Sequence, residues 1–252
     1  MAVQAVLSQQ IVLADFDASC RITDYSGTVD VDAKDATTVC SAGWAEYVAG
    51  LKRWQLSVNG YVDFAANNVD AKLGTSGSLG GSITPVTVCP SASGGADGAI
   101  AFTGKGLETN YQILAGAPGE LAPFSLTAMG LSAPLVRGTV LHPSSSARTA
   151  SGNGTGQQLG AVAAGQSMFL ALHVLAISGS PTFSVVLESD DNSGFTSPTT
   201  RLTSASYSAS TGSEWQSAAG AITDTYWRVK WTVTGGTSPS ISFLAVAGIA
   251  AA

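Results

Sequence analysis

The chain of 252 residues is predicted to be mainly β, with two β domains joined by a linker. A strictly alternating segment lies at 53–64 and a second one at 224–233, and between them an aperiodic Ser-, Gly- and Thr-rich stretch occupies 144–158. Alternation of apolar and polar residues with a period of two is typical of half-buried strands. The length fits one large all-β domain or two small ones.

The N-terminal domain, residues 1–143, is built from successive strand-like segments. Turn signals such as SGGADG (93–98) and GAPGE (116–120) separate these segments. The candidate strands are 10–17, 26–33, 53–64, 83–89, 98–104, 109–116, 122–129 and 135–141. Evidence for helix is poor, and the best candidate for a short helix is 41–50. A β-sandwich or barrel-like domain with one short helix is therefore expected.

The segment 53–64 is the clearest strand, about twice as long as the mean strand of globular proteins. Its apolar row consists of Trp54, Leu56, Val58, Val62 and Phe64, and its polar row of Arg53, Gln55, Ser57, Asn59, Tyr61 and Asp63. A small isolated domain does not need a strand of this length, so the segment indicates assembly.

The stretch 144–158 is predicted to be a flexible linker, because it lacks periodicity and is rich in small residues. Residues 159–252 are predicted to form a C-terminal β-sandwich. In DTYWRVKWTV (224–233), Trp227, Val229 and Trp231 share one face, whereas 240–249 is nearly all apolar, as in a strand buried on both faces.

Composition narrows the classes of function. Charged residues make up only 11% of the chain, against a typical ~25%. A surface of few charges and many small residues suits a subunit that covers itself with copies of itself, and equally a secreted β protein. The net charge is −6 without a basic patch, so tight nucleic-acid binding is not expected. Neither a membrane-spanning helix nor a signal peptide is expected.

The three cysteines, Cys20, Cys40 and Cys89, show no metal-binding spacing. Buried free thiols are expected, with a Cys20–Cys40 bridge as the alternative. The odd count favours a reducing compartment over a disulfide scaffold.

The sequence shows no nucleophile, general base or metal-binding cluster, so neither an enzyme nor a cofactor is expected. His173 lies inside an apolar segment and is expected to be a hydrogen-bonded core or interface residue. DDNSG (190–194) lacks the Gly and Glu spacing of an EF-hand and is interpreted as a hairpin turn, with a weaker calcium site as the alternative. DVDAKD (30–35) is interpreted as an exposed acidic turn, with a metal site as the alternative.

Aromatic residues in the second half leave a carbohydrate-binding surface open. Trp215, Tyr226, Trp227 and Trp231 could form a stacking platform. However, Trp227 and Trp231 share a strand face with Val229 and Val233, which favours core packing.

The order of motifs in residues 5–143 resembles the tail tube (major tail) proteins of long-tailed bacteriophages. The resemblance rests on Asp35-Ala36-Thr37-Thr38, Gly43-Trp44, Gly50-Leu51-Lys52, the strand from Arg53 to Asp63 with Gly60, and Arg137-Gly138. The second half is similar to a β domain that is appended to such proteins in some phages.

This resemblance implies sheets that join across subunits into rings, usually of six, which stack into the tube through which DNA leaves the virion. The partners would be further copies, the tape measure, terminator and tip proteins of the tail, and DNA in transit without specific binding, with assembly in the host cytoplasm. The C-terminal domain would lie on the outside of the tube or form a contact between rings.

The resemblance also implies a contact loop at about 34–52 and a strand that lines the lumen. Contact residues would be Asp35, Thr37, Thr38, Trp44, Glu46, Tyr47, Leu51 and Lys52, and lumen residues Arg53, Gln55, Ser57, Asn59 and Asp63. The alternatives are another virion component, such as a capsid decoration or minor tail protein, and a carbohydrate-binding β module.

Overall fold

The structure is a computed structural model that describes residues 9–74, 81–91, 95–112 and 116–251. Its strands in the first part of the chain are β1 (Gln10–Leu13), β2 (Phe16–Asp17), β3 (Ile22–Asp35), β4 (Tyr47–Tyr61), β5 (Ser82–Cys89), β6 (Ile100–Gln112), β7 (Pro123–Gly130) and β8 (Val136–His142). Those that follow are β9 (Gly152–Asn153), β10 (Gln157–Gln158), β11 (Gln166–Ser178), β12 (Thr182–Asp190), β13 (Thr199–Thr203), β14 (Gly212–Ala219), β15 (Tyr226–Thr234) and β16 (Ser240–Ala251). Two short helical turns, Ser19–Arg21 and Asp70–Gly74, accompany them. The prediction of a mainly β chain is confirmed.

Eleven strands form one antiparallel sheet, whose main path is β14-β11-β16-β8-β6-β5-β1-β2. A branch leaves this path at β6, which pairs with β8 near its start and with β7 over Gly106–Gln112. The branch continues from β7 to β4 and ends at β3. The length of β6 thus connects two packing units within one sheet.

The branch folds over β1 and β5 to make a sandwich with its own core. Trp54, Leu56 and Val58 of β4 project into this core together with Phe124 and Leu126 of β7. Leu13, Val86 and the helical turn Asp70–Gly74 close the core from the other side. The expected apolar row of the long strand is therefore buried over 54–58.

The main path curls around a narrow interior of apolar side chains. Val12, Cys89, Ala101, Val140 and Leu244 come from different strands and are all fully buried in it. The curl brings β14 beside β5, where the Ser213 hydroxyl donates to the Thr84 carbonyl at 2.7 Å. The two halves of the chain therefore share one continuous structure.

The expected core role of His173 is confirmed. Its ring is fully buried between β11, β5 and the β1–β2 turn. Nδ1 donates to the Ala14 carbonyl at 2.5 Å, and Nε2 accepts from the Thr87 hydroxyl at 2.7 Å. Both ring nitrogens are satisfied, so the histidine joins the two halves of the chain without being a ligand.

A second sheet, β10-β15-β12-β13 with β9, packs on β8, β16 and β11. Trp227 and Trp231 are buried in the core between the sheets, as the strand pattern favoured. Trp215 lies elsewhere, half-buried on β14 and stacked on Phe169 at 5.3 Å. The four aromatic residues therefore do not form one exposed platform.

Two expectations about local structure are wrong. The candidate helix 41–50 is instead a turn followed by the first residues of β4. The stretch 144–158 is ordered rather than a flexible linker: Arg148 exchanges backbone hydrogen bonds with Ile241, and β9 and β10 pair with β15. Because β8 also pairs with β16, the sheet runs through the predicted boundary, and the domain limits remain predictions.

The remaining candidates for chemistry are free thiols and a carboxylate that organises a turn. Cys89 is buried as expected, but Cys20 and Cys40 are exposed, and all three thiols are free. The turn 190–194 is a hairpin connection in which the buried carboxylate of Asp190 accepts from the amides of Asn192 and Ser197. Among the described residues, no cluster of metal-binding side chains occurs, and no helix is long and apolar enough to cross a membrane.

Candidate assembly surfaces

The most prominent surface feature is the hairpin of β3 and β4, here called the arm. Its ladder runs from Ile22 opposite Gly60 to Asp35 opposite Tyr47, which corresponds to about 45 Å. Among the described strands, β3 pairs with β4 alone, so it forms an edge of the sheet. Residues 36–46, here called the tip, connect the two strands.

The outer half of the arm has no core. Every residue of β4 before Trp54 is exposed, and β3 is exposed over Ser26–Val31. Large apolar side chains nevertheless occur there, including Trp44 at 82% exposure, Leu51 at 84% and Tyr47 at 66%. A two-stranded hairpin is only marginally stable in water, and exposed apolar surface of this kind is typical of protein–protein contacts.

The tip is shaped by its own short polar side chains. The Asp35 carboxylate accepts from the Thr37 amide at 2.8 Å, and the Thr37 hydroxyl accepts from the Glu46 amide at 3.0 Å. The Thr38 amide donates to the Ser41 hydroxyl at 2.9 Å. Hydrogen bonds from the side chain and the amide of Thr37 lower the pKa of Asp35 below its usual value. The tip thus has a defined shape without a core.

The structure places all the predicted contact residues on the arm, in two different settings. Asp35 ends β3, and Thr37, Thr38, Trp44 and Glu46 lie in the tip. Tyr47, Leu51 and Lys52 do not lie in a loop, as expected, but on the exposed outer part of β4. The strand therefore begins six residues earlier than the alternation from Arg53 predicted.

The predicted lumen residues, with one exception, share the face of β4 that points away from the core. Arg53 and Gln55 are exposed there, and Ser57 and Asn59 are partly exposed. Asn59 donates to the Asp24 carboxylate of β3 at 2.7 Å, and Gln55 donates to Ser57 at 3.1 Å. The alternation of buried and accessible residues in this part of β4 agrees with the predicted pattern.

Asp63 is the exception, because it lies beyond the end of β4. Its carboxylate accepts from the Ala65 amide at 2.9 Å and from the Asn68 side chain at 2.8 Å. It also lies 3.5 Å from Arg21. Asp63 therefore organises the turn into the helical turn Asp70–Gly74 and does not extend the polar face.

Neighbouring strands widen this polar face beyond the residues that sequence reasoning singled out. Opposite residues of antiparallel strands share a face, and the ladders extend the rows of β4 onto β3, β7 and β6. One row is Asp24, Asn59, Ser125 and Gln112, and the next is Ser26, Ser57, Thr127 and Asn110. In the sequence, the alternation of Phe124 and Leu126 with Ser125 and Thr127 is the signal that identifies these polar residues.

The polar face carries little charge. Asp24 and Asp30 on β3 are its acidic residues, and Arg53 stands opposite Asp30 in the ladder. The remaining positions of the two rows are hydroxyl and amide side chains. Such a face is wettable and slightly acidic, so it would not hold phosphate groups.

Comparison with known proteins gives matches only among solved structures. No family model matches the chain, and no curated protein does. The tail of an empty gene transfer agent (GTA) particle is 17% identical at a TM-score of 0.35, over 46% of this chain and 81% of that one. A chain of the extended sheath-tube complex of the PVC extracellular contractile injection system is 12% identical at a TM-score of 0.40. The match covers 53% of this chain and 90% of that one. Dit of phage SPP1, described as a paradigm of the hub adsorption apparatus in phages that infect Gram-positive bacteria, is 11% identical at a TM-score of 0.36. That match covers 97% of this chain and 100% of that one.

Proposed function

We propose that the chain is a structural subunit of a phage-type tail, which assembles into rings that stack into the tail tube. The observation that carries the proposal is the arm, whose outer half exposes Trp44, Tyr47 and Leu51 without any core of its own. These side chains gain a dry environment only by packing on another chain, worth roughly 1.5–3 kcal/mol for each one fully covered.

Ring formation also accounts for the edge strand. The outer side of β3 presents unpaired backbone groups along the ladder, which invites pairing with any available strand. A closed ring, with six subunits as the expected number, would pair each such edge with a neighbour and leave no growing end in the plane.

The polar face of β3, β4, β7 and β6 would then line the channel. Hydroxyl and amide side chains keep the channel wet, and the slight excess of acid over Arg53 opposes retention of DNA during ejection. Residues 159–252 would lie outside the tube. Tape measure, terminator and tip proteins would be the other partners, in a virion assembled in the host cytoplasm, and no enzymatic role is proposed.

The test compares the purified wild-type protein with a variant whose arm is made polar. Trp44→Asp together with Leu51→Asp should abolish rings and tubes in negative-stain images and leave a monomer in light scattering. The thermal midpoint should be unchanged, because neither side chain contacts the core. Leu121→Asp is the matched control, since Leu121 is also exposed, at 69%, but lies on another loop.

Two results would contradict the proposal: wild-type protein that stays monomeric at every concentration, or an arm variant that assembles like the wild type. Binding of the full-length protein to a glycan array would favour the carbohydrate-binding alternative if Trp215→Ala abolished it. Isolated rings that never stack would favour another tail component over the tube.

A further inference from the structure

A groove runs along the base of the arm on the side of the core. Two adjoining hollows share Val29, Trp54 and Leu135. The first, of about 330 Å³, is bounded also by Phe102, and the second, of about 570 Å³, also by Ser132. Trp54 forms the floor and is nearly buried, with its indole nitrogen donating to the Ala133 carbonyl at 3.0 Å. The groove is therefore apolar and firmly built.

The rim of the second hollow is basic. Lys52 and Arg53 line it and are both exposed, Lys52 on the same face of β4 as Trp54 and Arg53 on the opposite, polar face. Within the described residues, neither side chain takes part in an ion pair. The only carboxylate opposite them in the ladder is Asp30, beside Arg53. The groove thus combines an apolar floor with unpaired positive charge.

The tip has the complementary character. Between residues 35 and 47 the charged side chains are Asp35 and Glu46, both acidic. In the described part of the chain neither forms an ion pair. Val39 and Trp44 are exposed between them. An acidic tip with apolar side chains matches a basic groove with an apolar floor.

The tip cannot reach the groove of its own chain. Tyr47 begins β4 and Trp54 forms the groove floor, so the two are separated by about 23 Å of extended strand. Folding the tip back would break the ladder between β3 and β4. The groove can therefore receive a tip only from a second copy.

We propose that the tip of one copy binds in the groove at the base of the arm of the next copy, with Trp44 over the Trp54 floor and Glu46 beside Lys52. The contact joins two different surfaces, so it is heterologous and repeats from subunit to subunit. This inference rests on the proposed self-assembly and names the acceptor surface for the arm.

A disulfide trap tests the contact with a cysteine that the tip already carries. Cys40 is exposed in the tip, and Cys20 is the other exposed thiol. In full-length protein with Cys20→Ser, the change Ser132→Cys places a thiol on the groove. Mild oxidation of the assembled protein should convert most chains into covalent multimers on a non-reducing gel. Adding Cys40→Ser, or placing the new thiol at exposed Thr199 instead, should prevent this.

A charge exchange gives an independent measurement. Glu46→Lys or Lys52→Glu alone should raise the concentration needed for assembly about fivefold, because a like pair replaces an unlike one. The double variant should return toward the wild-type value. Tubes that form without any Cys40–Ser132→Cys cross-link, or charge effects that simply add, would overturn this inference and leave the proposed function standing. A wild-type chain that never assembles would overturn both.

Discussion

Mild acid should weaken the fold, because two buried histidines must stay neutral. Burial is the main cause that lowers the pKa of His173 from 6.5 to about 4, while its bond to the Ala14 carbonyl and the nearby Asp15 and Asp17 act in the opposite direction. Burial likewise lowers the pKa of His142 to about 4.

The surroundings of His142 explain why its protonated form is disfavoured. Its ring stacks on Phe243 at 3.8 Å, and Nδ1 donates to the Phe243 carbonyl at 3.0 Å. Nε2 accepts from the Arg148 guanidinium at 2.6 Å, and this positive charge lowers the pKa further, while Asp97 raises it. Protonation would break the bond to Arg148 and place two positive charges side by side.

The sign and size of the effect follow from linkage. Between pH 4 and 6.5 the unfolded chain binds protons that the folded chain does not, so stability falls as pH falls through this range. Stability is fully present above pH 6.5 and reaches its lower limit below the folded pKa. At pH 5 the loss is about 2 kcal/mol for each histidine, and about 3 kcal/mol for each when complete.

Urea unfolding followed by tryptophan fluorescence at pH 7.5, 6 and 5 measures this loss. The free energy of unfolding should drop by about 4 kcal/mol between pH 7.5 and 5 in the wild type. A His142→Gln, His173→Gln variant should be less stable at pH 7.5 but show a much smaller drop. Carboxylates titrate mostly below this window, so an equal drop in the double variant would refute the reasoning.

Two further predictions concern packing and a buried ion pair. Gly130→Ala should lower the free energy of unfolding by about 1–3 kcal/mol, because the new Cβ would lie 2.5 Å from the Trp54 indole nitrogen. Gly27→Ala is the control: the nearest atom to its Cβ lies at 3.9 Å, so it should be neutral or slightly stabilising. Equal effects of the two changes in urea or thermal unfolding would contradict this prediction. Arg228→Met should cost about 3 kcal/mol by removing two hydrogen bonds to the buried Glu188 carboxylate, at 2.9 and 3.0 Å, while Lys230 remains 3.6 Å away. Adding Glu188→Leu should recover most of the loss, and a double variant no more stable than the single one would contradict this.

Sequence patterns predicted the strands that pack against a core and failed where no core is present. Trp54, Leu56 and Val58 alternate with accessible residues because one face of β4 packs on β1 and β5. From Tyr47 to Lys52 both faces of the strand are exposed, so no core selects an alternating sequence there. For this reason the start of the strand falls within 41–50, the segment predicted as a short helix. The wide polar face was partly missed because its rows depend on strand order, which a single sequence does not reveal.

The stretch 144–158 is predicted to be flexible because of its glycines, but in the structure these glycines allow close packing. A Cβ on Gly152 would lie 2.8 Å from the Trp231 ring, and one on Gly154 would lie 3.0 Å from the Leu141 carbonyl. Small residues are required there because β9 pairs with β15 within the second sheet, with Gly152 directly opposite Trp231.

The arm and this stretch therefore mislead in opposite directions. A periodic pattern indicates which side chains are buried within one chain. It contains no information about backbone pairing or about surfaces that another copy covers. Residues 144–158 are ordered by backbone pairing with almost no apolar pattern, whereas on the arm Trp44 and Leu51 are 82% and 84% exposed in the described part of the chain. Apolar residues that fit no intrachain pattern, on a strand too long for its own core, are the sequence signal that assembly leaves. In this chain that signal lies at 44–51, directly before the alternation begins.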